Sequence, residues 1–116
     1  DNHMGDMGVE VLAIGLRESK TLMSLDLSSR GLYMPVALSE KGVTALTAAL
    51  VAANTVTSLN LAALDIGHLG GKALIPLLIN GTLTRCDLRK NHLGIRGWSA
   101  IFNALRDNPS NAIAEW

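Results

Sequence analysis

Apolar residues recur along this chain in a frame that appears three times. Leu83, Cys86, Leu88 and Leu93 fall at offsets 0, +3, +5 and +10, and so do Val56, Leu59, Leu61 and Ile66, and Leu22, Leu25, Leu27 and Leu32. In each unit a glycine then opens a second series with apolar residues at +4 and +8: Gly97, Ile101, Leu105; Gly70, Leu74, Leu78; Gly42, Leu46, Leu50. Residues two apart, such as Leu59 and Leu61, share one face of a strand. A spacing of four lines one face of a helix. The pattern predicts strands near 23–27, 57–61 and 84–88, with helices near 42–53, 71–79 and 96–106. A strand followed by a helix in every unit implies parallel strands. No unit can enclose a core alone, so stacking must supply it.

The departures from this frame are informative. Gly8, Leu12 and Leu16 repeat the helical series with no strand before them, which predicts a helix near 8–18. Residues 1–7 are read as a disordered or tag-derived lead-in. Leu32 to Gly42 spans ten positions where the other units span four, so an inserted loop carries Tyr33, Met34 and Pro35. Pro35 disfavours helix at Met34. Asn54 is placed to end the helix of the first unit. Pro76 sits inside the helical series of the second, predicting a short or kinked helix. Asn108-Pro109-Ser110 breaks the chain after the third. Ile113 and Trp116, three apart like Leu83 and Cys86, read as the start of a further strand at 113–116.

LTRCDLRKNHL, Leu83 to Leu93, fits the signature LxxLxLxxNxL and resembles the leucine-rich repeats. The helical second half and the 27 positions from Val56 to Leu83 are similar to the ribonuclease-inhibitor-like class. The resemblance implies an α/β leucine-rich repeat solenoid, a horseshoe segment with parallel β-strands on the concave face and α-helices on the convex face. One domain, 8–116, would comprise a partial repeat 8–21, repeats 22–55, 56–82 and 83–112, and the strand start. The signature asparagine is Asn91 in the third unit, whereas Arg30 and Leu64 replace it in the others. In the family that side chain bonds backbone in the turn after the strand, so the first two turns need other partners. The implied function is protein–protein recognition, within a larger intracellular scaffold, receptor or regulator. An alternative that some relatives follow is regulation of an enzyme in trans, such as GTPase activation, for which Arg30 and Arg96 are the loop arginines.

Composition narrows the function classes. The 116 residues suit one domain, and a core drawn from 48% hydrophobic but only 3% aromatic residues must be aliphatic. Formal charge is zero, so no overall field draws nucleic acid or an anionic membrane surface. Residues 1–58 carry four basic and six acidic side chains, and residues 59–116 carry six basic and four acidic. No apolar stretch reaches transmembrane length, and no signal peptide is read ahead of the fold. The single cysteine, Cys86, rules out an internal disulfide and fits a reducing, cytoplasmic setting.

The candidate chemistry is that of a binding surface. With Leu25 and Leu27 turned inward, Ser24, Asp26 and Ser28 must face the other way, as must Ser58, Asn60 and Ala62, and Arg85, Asp87 and Arg89. Stacked units would align Asp26, Asn60 and Asp87 in a row at about 4.8 Å per step. That row is either a recognition surface or an ordinary solvated face. Arg85 and Arg89 are the first choices for a partner's carboxylate, which arginine binds through two parallel hydrogen bonds. Tyr33 and Met34 offer a loop contact, and Trp98 either joins them or folds over the core. Cys86 holds a frame position and is read as a buried thiol. His68 and His92 lie on loops and are read as surface residues. No nucleophile–base pair or ligand cluster is apparent, so no enzyme, metal or cofactor is expected. The expected partner is another protein, without nucleic acid or membrane, and exposed strand edges at the ends of the array would favour self-association.

Overall fold

The computed structural model describes residues 3–28, 38–109, 111, 113 and 116. Helix α1 spans His3–Glu18, followed by strand β1 at Ser24–Asp26 and helix α2 at Glu40–Ala53. Strand β2 (Ser58–Asn60) leads to two short helices, α3 (Gly67–Ala73) and α4 (Ile75–Leu78). Strand β3 (Arg85–Asp87) and helix α5 (Gly94–Asp107) complete the described elements. The fold is mixed α/β. The strands form one parallel sheet in the order β1-β2-β3, with Leu25, Leu59 and Cys86 in register. The +3 position of each unit therefore lies beside its counterpart.

Each strand is three residues long, one shorter at either end than the apolar pattern predicts. The last residue of each strand stops it. The Oδ1 atoms of Asp26, Asn60 and Asp87 accept from the backbone N–H two positions on, at Ser28, Ala62 and Arg89, at 2.9, 3.0 and 3.0 Å. This local bond turns the chain out of the extended conformation. Backbone bonds between units continue beyond the strands, from Leu61 N–H to Asp87 O and from Gly67 N–H to Asn91 O.

The helices cover one side of the sheet: α1 packs on α2, α2 on α3 and α4, and α3 on α5. Leu59 and Cys86 from the strands share a core with Val43, Leu46 and Leu50 of α2, Leu74, Leu77 and Leu78 of the second unit, and Ile101 of α5. The frame glycines are where helices meet their neighbours. A Cβ on Gly97 would lie 3.0 Å from Leu93 Cβ and 3.3 Å from His68 Cα, and one on Gly70 would overlap Ile66 Cγ2.

The helix boundaries differ from the sequence expectation in instructive ways. Helix α1 starts at His3, taking in residues 3–7 of the expected lead-in, and the carboxylate of Asp6 fixes it there. Asp6 accepts from the Ser39 backbone N–H at 2.9 Å and from the Ser39 hydroxyl at 2.5 Å, so it ties α1 to the start of α2. Asn54 ends α2 in the left-handed conformation, φ 56°, with its N–H on Leu50 O. The second unit's helix is interrupted at Leu74, and Pro76 falls in the first turn of α4, where its missing N–H costs nothing. No helix among the described residues is long and apolar enough to cross a membrane.

Candidate functional site

The sheet face turned away from the helices holds most of the predicted surface residues. Ser24 pairs with Ser58 and Ser58 with Arg85, while Asp26 pairs with Asn60 and Asn60 with Asp87. These six residues and Trp116 line an open recess of about 350 Å³. The shape follows from the strands: alternate residues point away from the core, and parallel in-register pairing puts like positions side by side. The third residue of each predicted row lies beyond the strand. Ser28 is half-buried and Ala62 is buried, a correction to its expected exposure, because the chain has already turned at Asn60. Tyr33 and Met34, like the rest of residues 29–37, lie outside the described residues.

The polar row is partly committed to its own structure. Beyond the turn-forming bonds, Asn60 Nδ2 donates to Asp26 Oδ2 at 3.5 Å. Asp87 receives Arg89 through two nitrogens, Nε at 3.0 Å from Oδ1 and Nη2 at 2.8 Å from Oδ2. Those bonds raise the guanidinium pKa above its ordinary value, so Arg89 is a permanent cation. The two-pronged contact foreseen for a partner is thus already made within the chain. A partner carboxylate reaching Arg89 must share it with Asp87. Arg85 occupies an exposed strand position.

Cys86 lies beneath this face and is fully buried. Burial, aided by the neighbouring Asp87 carboxylate, pushes its thiol up to about 12, so the sulfur is neutral and unreactive at neutral pH. His92 Nδ1 lies 3.0 Å from Asp65 Oδ1 at the exposed turn. Among the described residues no three of His, Cys, Asp and Glu gather where a metal would bind.

Two features escaped the sequence reading. Trp116 lines the recess and packs edge-on against Trp98 and Phe102 with ring centroids 6.2 and 6.4 Å apart. Its spacing from Ile113 signalled a strand but not a wall of the site. Trp98 takes the folded-back alternative, half-buried against the core and stacked on Phe102 at 5.4 Å. Asn91 is the second feature. It is buried, and it serves the preceding unit as well as its own: Oδ1 accepts from Leu64 N–H at 2.8 Å and Ile66 N–H at 3.4 Å, and Nδ2 donates to Leu61 O at 2.7 Å and Leu88 O at 3.0 Å. The turn that lacks its own asparagine at Leu64 borrows this one. No family model matches the chain, and a search of curated proteins finds no match.

Proposed function

We propose that the chain is a segment of a leucine-rich repeat solenoid, similar to the ribonuclease-inhibitor-like class, and that it acts as a protein–protein recognition module without catalysis of its own. The strands would form the concave side and the helices the convex side. The observation that carries this reading is the register of the sheet. Three units with the same apolar offsets place their outward residues in two parallel rows, Ser24/Ser58/Arg85 and Asp26/Asn60/Asp87, along one open recess. A row of hydroxyls, amides and charges with one aromatic wall suits an extended polypeptide surface. The buried neutral thiol of Cys86 offers no nucleophile beneath it.

The test begins with affinity capture and mass spectrometry to obtain a binding protein, whose affinity is then measured for variants. Arg85→Ala combined with Arg89→Ala is expected to leave the circular dichroism spectrum unchanged and to weaken binding by about thirtyfold, the loss of roughly 2 kcal/mol typical of a central interface contact. If that variant binds like the wild type while changes at Tyr33 or Met34 abolish binding, the inserted loop is the site and the strand face is not.

A further inference from the structure

Asn80 is one of eight asparagines in the chain, and it alone precedes a glycine. That pairing carries a chemistry of its own. A backbone nitrogen that follows asparagine can attack the side-chain carbonyl carbon once it loses its proton, and glycine has no side chain to block the approach. The structure leaves this route open. Asn80 is exposed, Gly81 takes φ 91°, and the Gly81 N–H has no acceptor among the described residues. The structure also restrains the side chain. Asn80 Nδ2 donates to Asn54 Oδ1 at 2.8 Å and to Thr82 Oγ1 at 3.3 Å, and the Thr82 hydroxyl donates to the same Asn54 oxygen. Asn54 is itself fixed as the left-handed residue that ends α2. This clasp ties the end of the first unit's helix to the turn that leads into β3.

We propose that Asn80 is a site of spontaneous covalent modification, and that its clasp with Asn54 and Thr82 sets the rate. The Gly81 nitrogen forms a bond to Asn80 Cγ and the Cγ–Nδ2 bond breaks. Nδ2 leaves as ammonia, its third hydrogen being the proton that Gly81 gives up. Water then opens the resulting cyclic imide at either carbonyl, which yields aspartate or its β-linked isomer, isoaspartate. Water is the only other reactant. The leaving nitrogen is the atom held by Asn54 Oδ1, so the ring closes from conformers in which that hold is released. Either product puts a carboxylate, an acceptor only, where Asn54 Oδ1 now receives a donor. The β-linked product also adds a carbon to the backbone entering β3. The modification therefore loosens a tie between two units, and it is independent of the open strand face.

Incubation of the full chain at mildly alkaline pH, followed by peptide mapping with mass spectrometry, tests this. Position 80 should turn acidic ahead of every other asparagine, and as a mixture of aspartate and isoaspartate, the mark of a ring that opens both ways. Asn54→Gly keeps the left-handed backbone and removes the acceptor. It should convert about fivefold faster than the wild type, the factor by which one hydrogen bond of ordinary net strength shifts a population. Thr82→Val, which removes the other partner with little change of shape, should act in the same direction. The synthetic peptide of residues 77–84, LLINGTLT, has no clasp and should convert faster than the folded wild type. Circular dichroism checks that both variants are folded. An intact Asn80 in the wild type and both variants would overturn the proposal, as would aspartate formed without isoaspartate. Equal rates in the wild type, the two variants and the peptide would show that the clasp does not govern the site.

Discussion

The side-chain oxygen of Asn91 accepts the backbone N–H of Leu64, 27 residues earlier, at 2.8 Å. One buried amide therefore closes its own turn and the turn of the preceding unit. Its removal should cost more than an ordinary hydrogen bond. Asn91→Leu strands the N–H groups of Leu64 and Ile66 and the carbonyl of Leu61 away from water, each at about 1–3 kcal/mol. A loss of roughly 3 kcal/mol or more is expected in urea unfolding. Asn91→Asp should be similarly harmful at neutral pH, since the carboxylate keeps the acceptor but faces the carbonyls of Leu61 and Leu88 without a proton. A change under 1 kcal/mol for both would show that the turns hold without this link.

The glycines divide into two groups that predict opposite signs. Gly70 has no room for a methyl group beside Ile66, so Gly70→Ala should destabilise by about 1–2 kcal/mol, overpacking outweighing the gain in helix propensity. Gly8 and Gly15 lie in α1 with nothing within 4 Å of an added Cβ. Alanine at either should stabilise by up to about 1 kcal/mol. Thermal melts of the three single variants decide this, and the same sign at all three positions would contradict the packing described.

The strand frame was legible because it rests on two simple periods, and three units with equal offsets admit one register. The close of α2 at Asn54 and the break near Pro76 were legible for local reasons: one residue tolerates positive φ and the other lacks an N–H. The start of α1 was not. Its anchor is the contact of Asp6 with Ser39, 33 residues away, and no local window contains it. At the site, the row of Asp26, Asn60 and Asp87 followed from parity alone. That each oxygen would turn its own backbone did not, nor did the capture of Arg89 by Asp87, because both depend on where the strand ends. Leu64 shows the same limit. Its unit lacks the signature asparagine, and the replacement comes from a neighbour that only the register identifies.

Cys86 makes stability pH-dependent in the alkaline range. Its folded pKa of about 12 lies above the ordinary value of 9.0. Above pH 9 the unfolded chain releases this proton while the folded chain keeps it, so the unfolded state gains. The contribution is intact below pH 9 and falls away between 9 and 12 by about 1 kcal/mol per pH unit. Other groups titrate there too, so the measurement is a comparison. Cys86→Val should show a shallower alkaline decline than the wild type in urea titrations at a series of pH values. Native Cys86 should also resist thiol reagents until the chain unfolds. Parallel declines, or rapid labelling of the folded protein, would contradict the burial.

Trp98 and Phe102 of the last helix pack against Trp116, which lines the open recess. Trp98 stacks on Phe102 within α5, four residues apart, while Trp116 meets both rings edge-on. Edge-to-face pairs contribute about 0.5–1.5 kcal/mol beyond area burial, and partial exposure places these toward the lower end. Trp116→Ala removes two such contacts and should destabilise by about 1 kcal/mol, with the emission of Trp98 moving to longer wavelength as its neighbour is replaced by water. Trp116→Phe should retain most of both effects. The coupling between positions 102 and 116 can be isolated by a double-mutant cycle, where about 0.5 kcal/mol or more is expected. Because Trp116 also lines the recess, Trp116→Ala should weaken a partner bound on the strand face even where the fold is intact. If stability, Trp98 emission and partner binding are all unchanged in Trp116→Ala, the tryptophan neither packs on α5 nor bounds the site.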